Sequence, residues 1–190
     1  TYDVVWNMDT GILDVANISE RVLDMVEDTF SRTFVGLTLE PIHPMSRAHM
    51  VLDEGLHHLL EKADQAPSKD VLLQIKRNRW VGWDFLLWLM YRTSSNSSVY
   101  KVNQKGPLEI GGGFMAYLHD KFVLVAEHEQ GKRKSSITGV QRDFSETREA
   151  LRDGKNITET LIYLEKEPRS WKVSLKADIF ALGSFSCPVV

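Results

Sequence analysis

The stretch "SETREALRDGKNITETLIYLEKEPRSWKVSLKADIFALGSFSC", Ser145 to Cys187, decides the fold class. Ser145 opens a short helix, Glu146 and Glu149 put acid into its early turns, and Gly154 stops it. The three runs that follow, "ITETLIYLEK", "SWKVSLKA" and "IFALGSFSC", are rich in β-formers and read as antiparallel strands. Working toward the N-terminus, "SVYKVN", "LEIGG", "FMAYL", "KFVLVAE" and "SSITGV" also read as strands, with "HDK" (119–121) and "HEQGKRK" (128–134) as turns. The class is therefore α+β with mostly antiparallel pairing.

Before the strands lies a helical region, 71–93, which "SSNSS" (94–98) ends because clustered Ser and Asn offer the backbone hydrogen bonds outside a helix. Its key segment is "KRNRWVGWDFLLWLMYR", Lys76 to Arg92. Trp80 to Tyr91 would reach only about 18 Å as a helix and contains Asp84, too short and too polar to span a bilayer. Apolar residues fall on every side, which predicts a helix enclosed nearly all round. A carboxylate inside such a helix, Asp84, is expected to need a partner.

The N-terminal part opens with "YDVVWN" and "GILDVA", a hairpin around "MDTG". In the next segment Val22, Met25, Val26, Phe30 and Phe34 stand close to helical spacing, and "VGLTLEPI" alternates as a third strand before Pro41 and Pro44. A further helix is expected through 45–64, and "DQAPSKD" (64–70) reads as a linker. The expected units are thus 1–64, strand-strand-helix-strand plus helix, and 65–190, the aromatic helix with a β-rich unit.

The chain has 190 residues, a net charge of −3 and a single cysteine, Cys187, which cannot form an internal bridge. One cysteine suggests a reducing, cytoplasmic compartment. Residues 1–64 hold 12 acids and 4 bases, a balance of −8, whereas residues 65–190 hold 14 acids and 19 bases, a balance of +5. Partners of a polyelectrolyte respond to local field, so the small net charge does not argue against nucleic acid.

Several chemistry-bearing patterns have ordinary readings that outweigh them. Asp9-Thr10-Gly11 matches the tripeptide of aspartic proteases, but that chemistry needs two carboxylates, and Asp and Gly are common in hairpin turns. His49, Asp53 and His57 at i, i+4 spacing would line one helical face and could hold a metal, yet no fourth ligand is evident. "GGG" (111–113) and "GKRKSS" (131–136) lack a P-loop's glycine and Ser/Thr, since Ala126 and Arg133 stand there. No catalytic residue, cofactor or metal is assigned. Two basic clusters remain, Lys69, Lys76, Arg77 and Arg79 beside Trp80, and Lys132, Arg133 and Lys134 at the expected hairpin tip. Such groups attract phosphates through a salt-sensitive, sequence-independent term.

Two blocks, "VVWNMDTGILDVANISERVLDMVEDTFSRTFVGLTLEPI" (4–42) and "SETREALRDGKNITETLIYLEKEPRSWKVSLKADIFALGSFS" (145–186), resemble in order two segments of the recombination-associated RdgC family. Gly154, Lys155 and Thr158 hold the places of that family's helix-ending turn. "GWDFLLWLMYR" looks like the aromatic helix of the shorter RdgC-like proteins, with Trp83 and Asp84 standing where Arg and Glu are expected. The resemblance implies a longer chain with a further N-terminal portion, consistent with the absent initiator Met. It also implies a non-enzymatic homodimer, nucleoid-associated, that encircles duplex DNA without sequence preference and restrains RecA-driven strand exchange; single-stranded DNA is a further candidate partner. The expected DNA contacts are Lys76, Arg77 and Arg79, and Lys132, Arg133 and Lys134; the alternative is a protein-interaction or homodimer assembly domain with no intrinsic DNA binding.

Overall fold

The computed structural model describes residues 1–63, 71–101, 113–129 and 131–188. The expected linker, Lys69 and the "LEIGG" strand lie outside the described residues. The class is α+β, and the chain divides into two compact units, Thr1–Ile42 and His43–Val190, earlier than the break expected at residue 64.

In the first unit, β1 (Val4–Asn7) and β2 (Ile12–Val15) form the expected antiparallel hairpin. The Asn7 side-chain oxygen accepts from the Asp9 and Thr10 N–H groups at 3.0 and 3.1 Å, and Gly11 takes φ +69°, so the Asp-Thr-Gly tripeptide is spent on the turn. Helix α1 (Glu20–Thr33) turns Phe30 inward, where it meets Trp6 edge-on at 5.4 Å and Phe34 at 4.8 Å. The third strand does not form. The chain bends at Phe34 and turns through Gly36 at φ +92°, and Val35 is 91% exposed. Alternation in sequence makes a strand only where a neighbour accepts its backbone hydrogen bonds, and among the described residues no strand pairs with this segment.

The second unit starts with helices. The one expected over 45–64 is broken: α2 (Pro44–Val51) has a reciprocal His43–Ser46 cap, Leu52 and Asp53 are extended, a 3₁₀ turn covers Glu54–Leu56, and α3 spans only His57–Glu61. Helices α4 (Val71–Arg77) and α5 (Trp80–Ser94) follow, separated by a turn at Asn78 and Arg79. The remainder comprises β3 (Val99–Lys101), β4 (Gly113–His128), β5 (Gly131–Thr138), α6 (Ser145–Arg152), β6 (Asn156–Lys166), β7 (Arg169–Lys176) and β8 (Ala181–Ser186).

These strands make one antiparallel six-stranded sheet in the order β3-β4-β6-β7-β8, with β5 pairing the far half of β4. β4 is a single long strand, where "FMAYL" and "KFVLVAE" were expected to be two joined by a turn at "HDK". The residues of that supposed turn lie in a bulge against β6 between Leu118 and Phe122. The Thr160 hydroxyl donates to the Lys121 carbonyl at 2.6 Å, and Gly139 donates its N–H to the Asp120 carbonyl at 2.8 Å. Those neighbours satisfy the irregular backbone, so the strand bends and continues.

The core lies between the sheet and the helices α5 and α6. Leu86, Leu89 and Met90 of α5 pack on Leu118, Phe122, Leu124, Ile157, Ile162 and Leu175, and Phe144 meets Phe122 edge-on at 5.6 Å at the entrance to α6. Gly82 allows α5 its close approach: a Cβ there would stand 2.2 Å from the Ala177 carbonyl oxygen. The helix is not enclosed all round. Asp84 is exposed, on the same stripe as Leu87, Trp88 and Tyr91, which are 45%, 45% and 65% exposed. Solvent therefore meets the charge that was expected to need a buried partner, because the sheet covers only one side of the helix.

Candidate nucleic-acid interface

Lys76 and Arg77 are exposed in the last turn of α4, where cations also suit the negative end of the helix dipole. Asn78 anchors the junction: it is buried, and its side-chain N–H donates to the Gln74 carbonyl at 2.8 Å. This leaves Arg79 directed at the end of the sheet. Its guanidinium lies 4.7 Å from the Trp83 ring centroid and donates to the Glu127 carboxylate at 2.5 Å. The Trp83 indole N–H donates in turn to Asp178 at 2.6 Å, fixing the ring beneath the arginine. Lys132 approaches the other oxygen of Glu127 at 2.7 Å. The Arg79 and Lys132 hydrogen bonds hold the Glu127 carboxyl down at about 2, from its ordinary 4.5, and the hydrogen bond to Glu127 raises Arg79.

The second predicted cluster is not at a hairpin tip. Lys132, Arg133 and Lys134 belong to β5, in register with Glu127, Ala126 and Val125 of β4. The reversal is over before Gly131, so strand alternation splits the triplet. Lys132 and Lys134 share the side of Glu127 and Val125, whereas Arg133 shares the side of Ala126, which faces the helices. All three are exposed.

The face of the sheet opposite the helices carries cations that sequence reading missed. In β7, Lys172, Ser174 and Lys176 alternate with the inward Val173 and Leu175, a period-two pattern legible once the strand is identified. Lys121, in the β4 bulge, meets Glu159 at 2.8 Å. That contact lowers the Glu159 pKa, with further contributions from Lys176 and Lys134. Beside these lie Tyr117 and Tyr163, cross-strand partners stacked at 5.5 Å and 15°, with the His119 ring edge-on to both. The Lys172 ammonium stands 5.3 Å from the Tyr163 centroid. The Tyr117 hydroxyl donates to Glu165 at 2.5 Å, and burial together with that acceptor pushes its pKa up to about 12.

The other singled-out residues do not assemble. His49 and His57 pack ring to ring at 5.6 Å, but Asp53 sits in the extended break, and among the described residues no group of three or more His, Cys, Asp or Glu side chains could hold a metal ion. The exposed stripe of α5 borders a groove of about 530 Å³ lined by Asp84, Leu87, Trp88, Met90, Tyr91 and Arg148. Among the described residues, no helix is long and apolar enough to cross a membrane. In comparison with known protein families, curated proteins and solved structures, the chain matches none.

Proposed function

We propose that this chain is a DNA-binding domain without sequence preference, acting by occupying DNA and not by chemistry, in the manner of the RdgC-like recombination modulators that its two sequence blocks resemble. The observation that carries the reading is the bridge at Glu127. It draws Arg79, from the helical junction, and Lys132, from the sheet, onto one carboxylate. Two basic clusters far apart in sequence thereby become one strip, with Lys76 and Arg77 at one end and Lys134 at the other. Glu127 fixes their positions and Asp178 also acts on Arg79, two acids against the five cations Lys76, Arg77, Arg79, Lys132 and Lys134, which leaves the strip positive. Fixed cations suit a regular phosphate backbone. DNA held in this way is denied to a RecA-like recombinase.

Fluorescence anisotropy with duplexes of unrelated sequence, each at two salt concentrations, tests the proposal. Equal affinities across sequences and a steep salt dependence are expected. The Lys76→Ala, Arg77→Ala, Arg79→Ala triple variant should flatten the salt slope by nearly 3, at about 0.9 per lost phosphate contact. Absence of salt-dependent binding in the parent would refute the proposal.

A second reading, an assembly surface, is favoured by Leu87, Trp88 and Tyr91. A contiguous apolar stripe on a helix is the kind of surface that protein contacts bury. Sedimentation equilibrium of the parent and of Trp88→Glu decides it: a concentration-dependent dimer abolished by the substitution supports the seam, and a monomer at all concentrations removes it.

A further inference from the structure

We propose that the open face of the six-stranded sheet, the side away from α5 and α6, is a track for single-stranded nucleic acid. The inference rests on the DNA-binding reading above and assigns a second form of the ligand to a surface that adjoins the duplex strip at Lys134. Four strands contribute to it. Lys134 comes from β5, Lys121 from β4, Glu159 and Tyr163 from β6, and Lys172 and Lys176 from β7. Register places Glu159 opposite both Val123 and Lys176, and Tyr163 opposite both Tyr117 and Lys172. The surface is thus organised in two cross-strand rows, one of charge and one of rings, the latter with Glu165 at the Tyr117 hydroxyl and Asp120 at the Tyr163 hydroxyl.

The charge row is unbalanced. Lys121, Lys134 and Lys176 all act on the single carboxylate of Glu159, so the row retains positive charge after its acid is satisfied. The ring row puts Tyr117, Tyr163 and His119 together on the same face, with the Lys172 ammonium against Tyr163. Lysines beside aromatic rings on a sheet face meet the two needs of a flexible single strand, cations for its backbone and π surfaces for its unpaired bases. In a duplex the bases are stacked on one another and cannot reach such rings. A base that settles on Tyr163 takes the place of the Lys172 ammonium, which moves aside to a neighbouring phosphate. The cations of the Glu127 bridge have no comparable partner ring on this face. Arg79 stacks on Trp83, which is already tied to Asp178.

The test uses the whole chain, a labelled oligo(dT) about sixteen nucleotides long, and a duplex of the same length. Lys172→Ala with Lys176→Ala, both at half-buried or exposed positions, should weaken oligo(dT) binding about tenfold and flatten its salt slope by about 1.4, leaving duplex affinity within about twofold. Tyr163→Leu should weaken oligo(dT) binding about tenfold with the salt slope unchanged, the signature of a lost stack. Photocrosslinking of an oligonucleotide carrying 5-iododeoxyuridine should place the adduct on Tyr117, His119 or Tyr163, a readout that needs no variant to fold. Duplex binding by the parent without oligo(dT) binding overturns the track and spares the DNA-binding reading. Equal loss of both ligands in the lysine variant, or adducts confined to other strands and helices, also overturns the track. A parent that binds neither ligand overturns both.

Discussion

The two faces of the six-stranded sheet differ in every respect that matters for function. The covered face packs Leu118, Phe122, Leu124, Ile157 and Leu175 against α5 with almost no exposure, and the Thr93 hydroxyl of α5 accepts from the Leu118 N–H at 3.2 Å. The open face, built from the alternate residues of the same strands, carries Lys121, Lys172 and Lys176 with Tyr117 and Tyr163. One strand pattern writes both surfaces, because successive side chains point to opposite sides. Stability should accordingly reside on the covered side, and the single-strand contacts proposed above on the open one.

The contrast can be broken severely at Gly82 and at Leu86. Replacing it with Ala drives a methyl group into the Ala177 carbonyl, and the backbone on both sides of the contact must shift. A loss of about 3 kcal/mol in urea unfolding is expected. Leu86→Ala, at a fully buried position, should cost about 2–5 kcal/mol by the same measurement. An effect below about 1 kcal/mol at both positions would mean that α5 is not clamped to the sheet.

Trp83→Phe keeps a ring beneath Arg79 and removes the hydrogen bond to Asp178. It should cost about 1 kcal/mol, between the core and surface values. At the far end of the scale, Lys76→Ala with Arg77→Ala should leave stability within about 0.5 kcal/mol while removing nearly 2 from the duplex salt slope. If that pair of substitutions alters unfolding more than binding, stability and ligand contact are not separated.

The smallest effect concerns acid. Glu127 has a folded pKa of about 2, below its ordinary 4.5, so its contribution to stability is complete above about pH 4.5 and disappears as the pH falls toward 2. The carboxylate is about one-third exposed, which limits the contribution to less than about 1 kcal/mol. Glu127→Gln should flatten that part of the acid limb. An unchanged profile would show that Arg79 and Lys132 are not held through this carboxylate.

The elements easiest to read from sequence were those with strong local signals. The hairpin at Asn7–Gly11, the helix from Ser145 to the Gly154 stop, the three strands after it and the end of α5 at the serine cluster all stand where their own residues put them. Errors arose where a local pattern needed a partner. "VGLTLEPI" alternates but pairs with no strand among the described residues, and "HDK" looks like a turn although Thr160 and Gly139 hold it inside β4. Leu52 and Asp53 take extended conformations and break the helix that would have aligned His49, Asp53 and His57.

The candidate interface was half legible. Lys76, Arg77 and Arg79 were visible as a cluster because they are neighbours in the chain. Lys121 and Lys176 were not, since each is a lone cation in its own strand and only sheet register brings them to Glu159. Arg133 stood out beside Lys132 and Lys134, yet alternation turns it to the other side.

By itself the sequence determined the α+β class, the antiparallel meander after α6, the break after α5 and the excess of positive charge beyond residue 64. These follow from residue type and spacing, which act over a few neighbours. Tertiary structure alone decided that Asp84 meets solvent, that Arg79 and Lys132 share Glu127, and that lysines from three strands surround Glu159. Each of these depends on which distant segments pair and in what register, and register is set by the packing of the whole sheet against its helices.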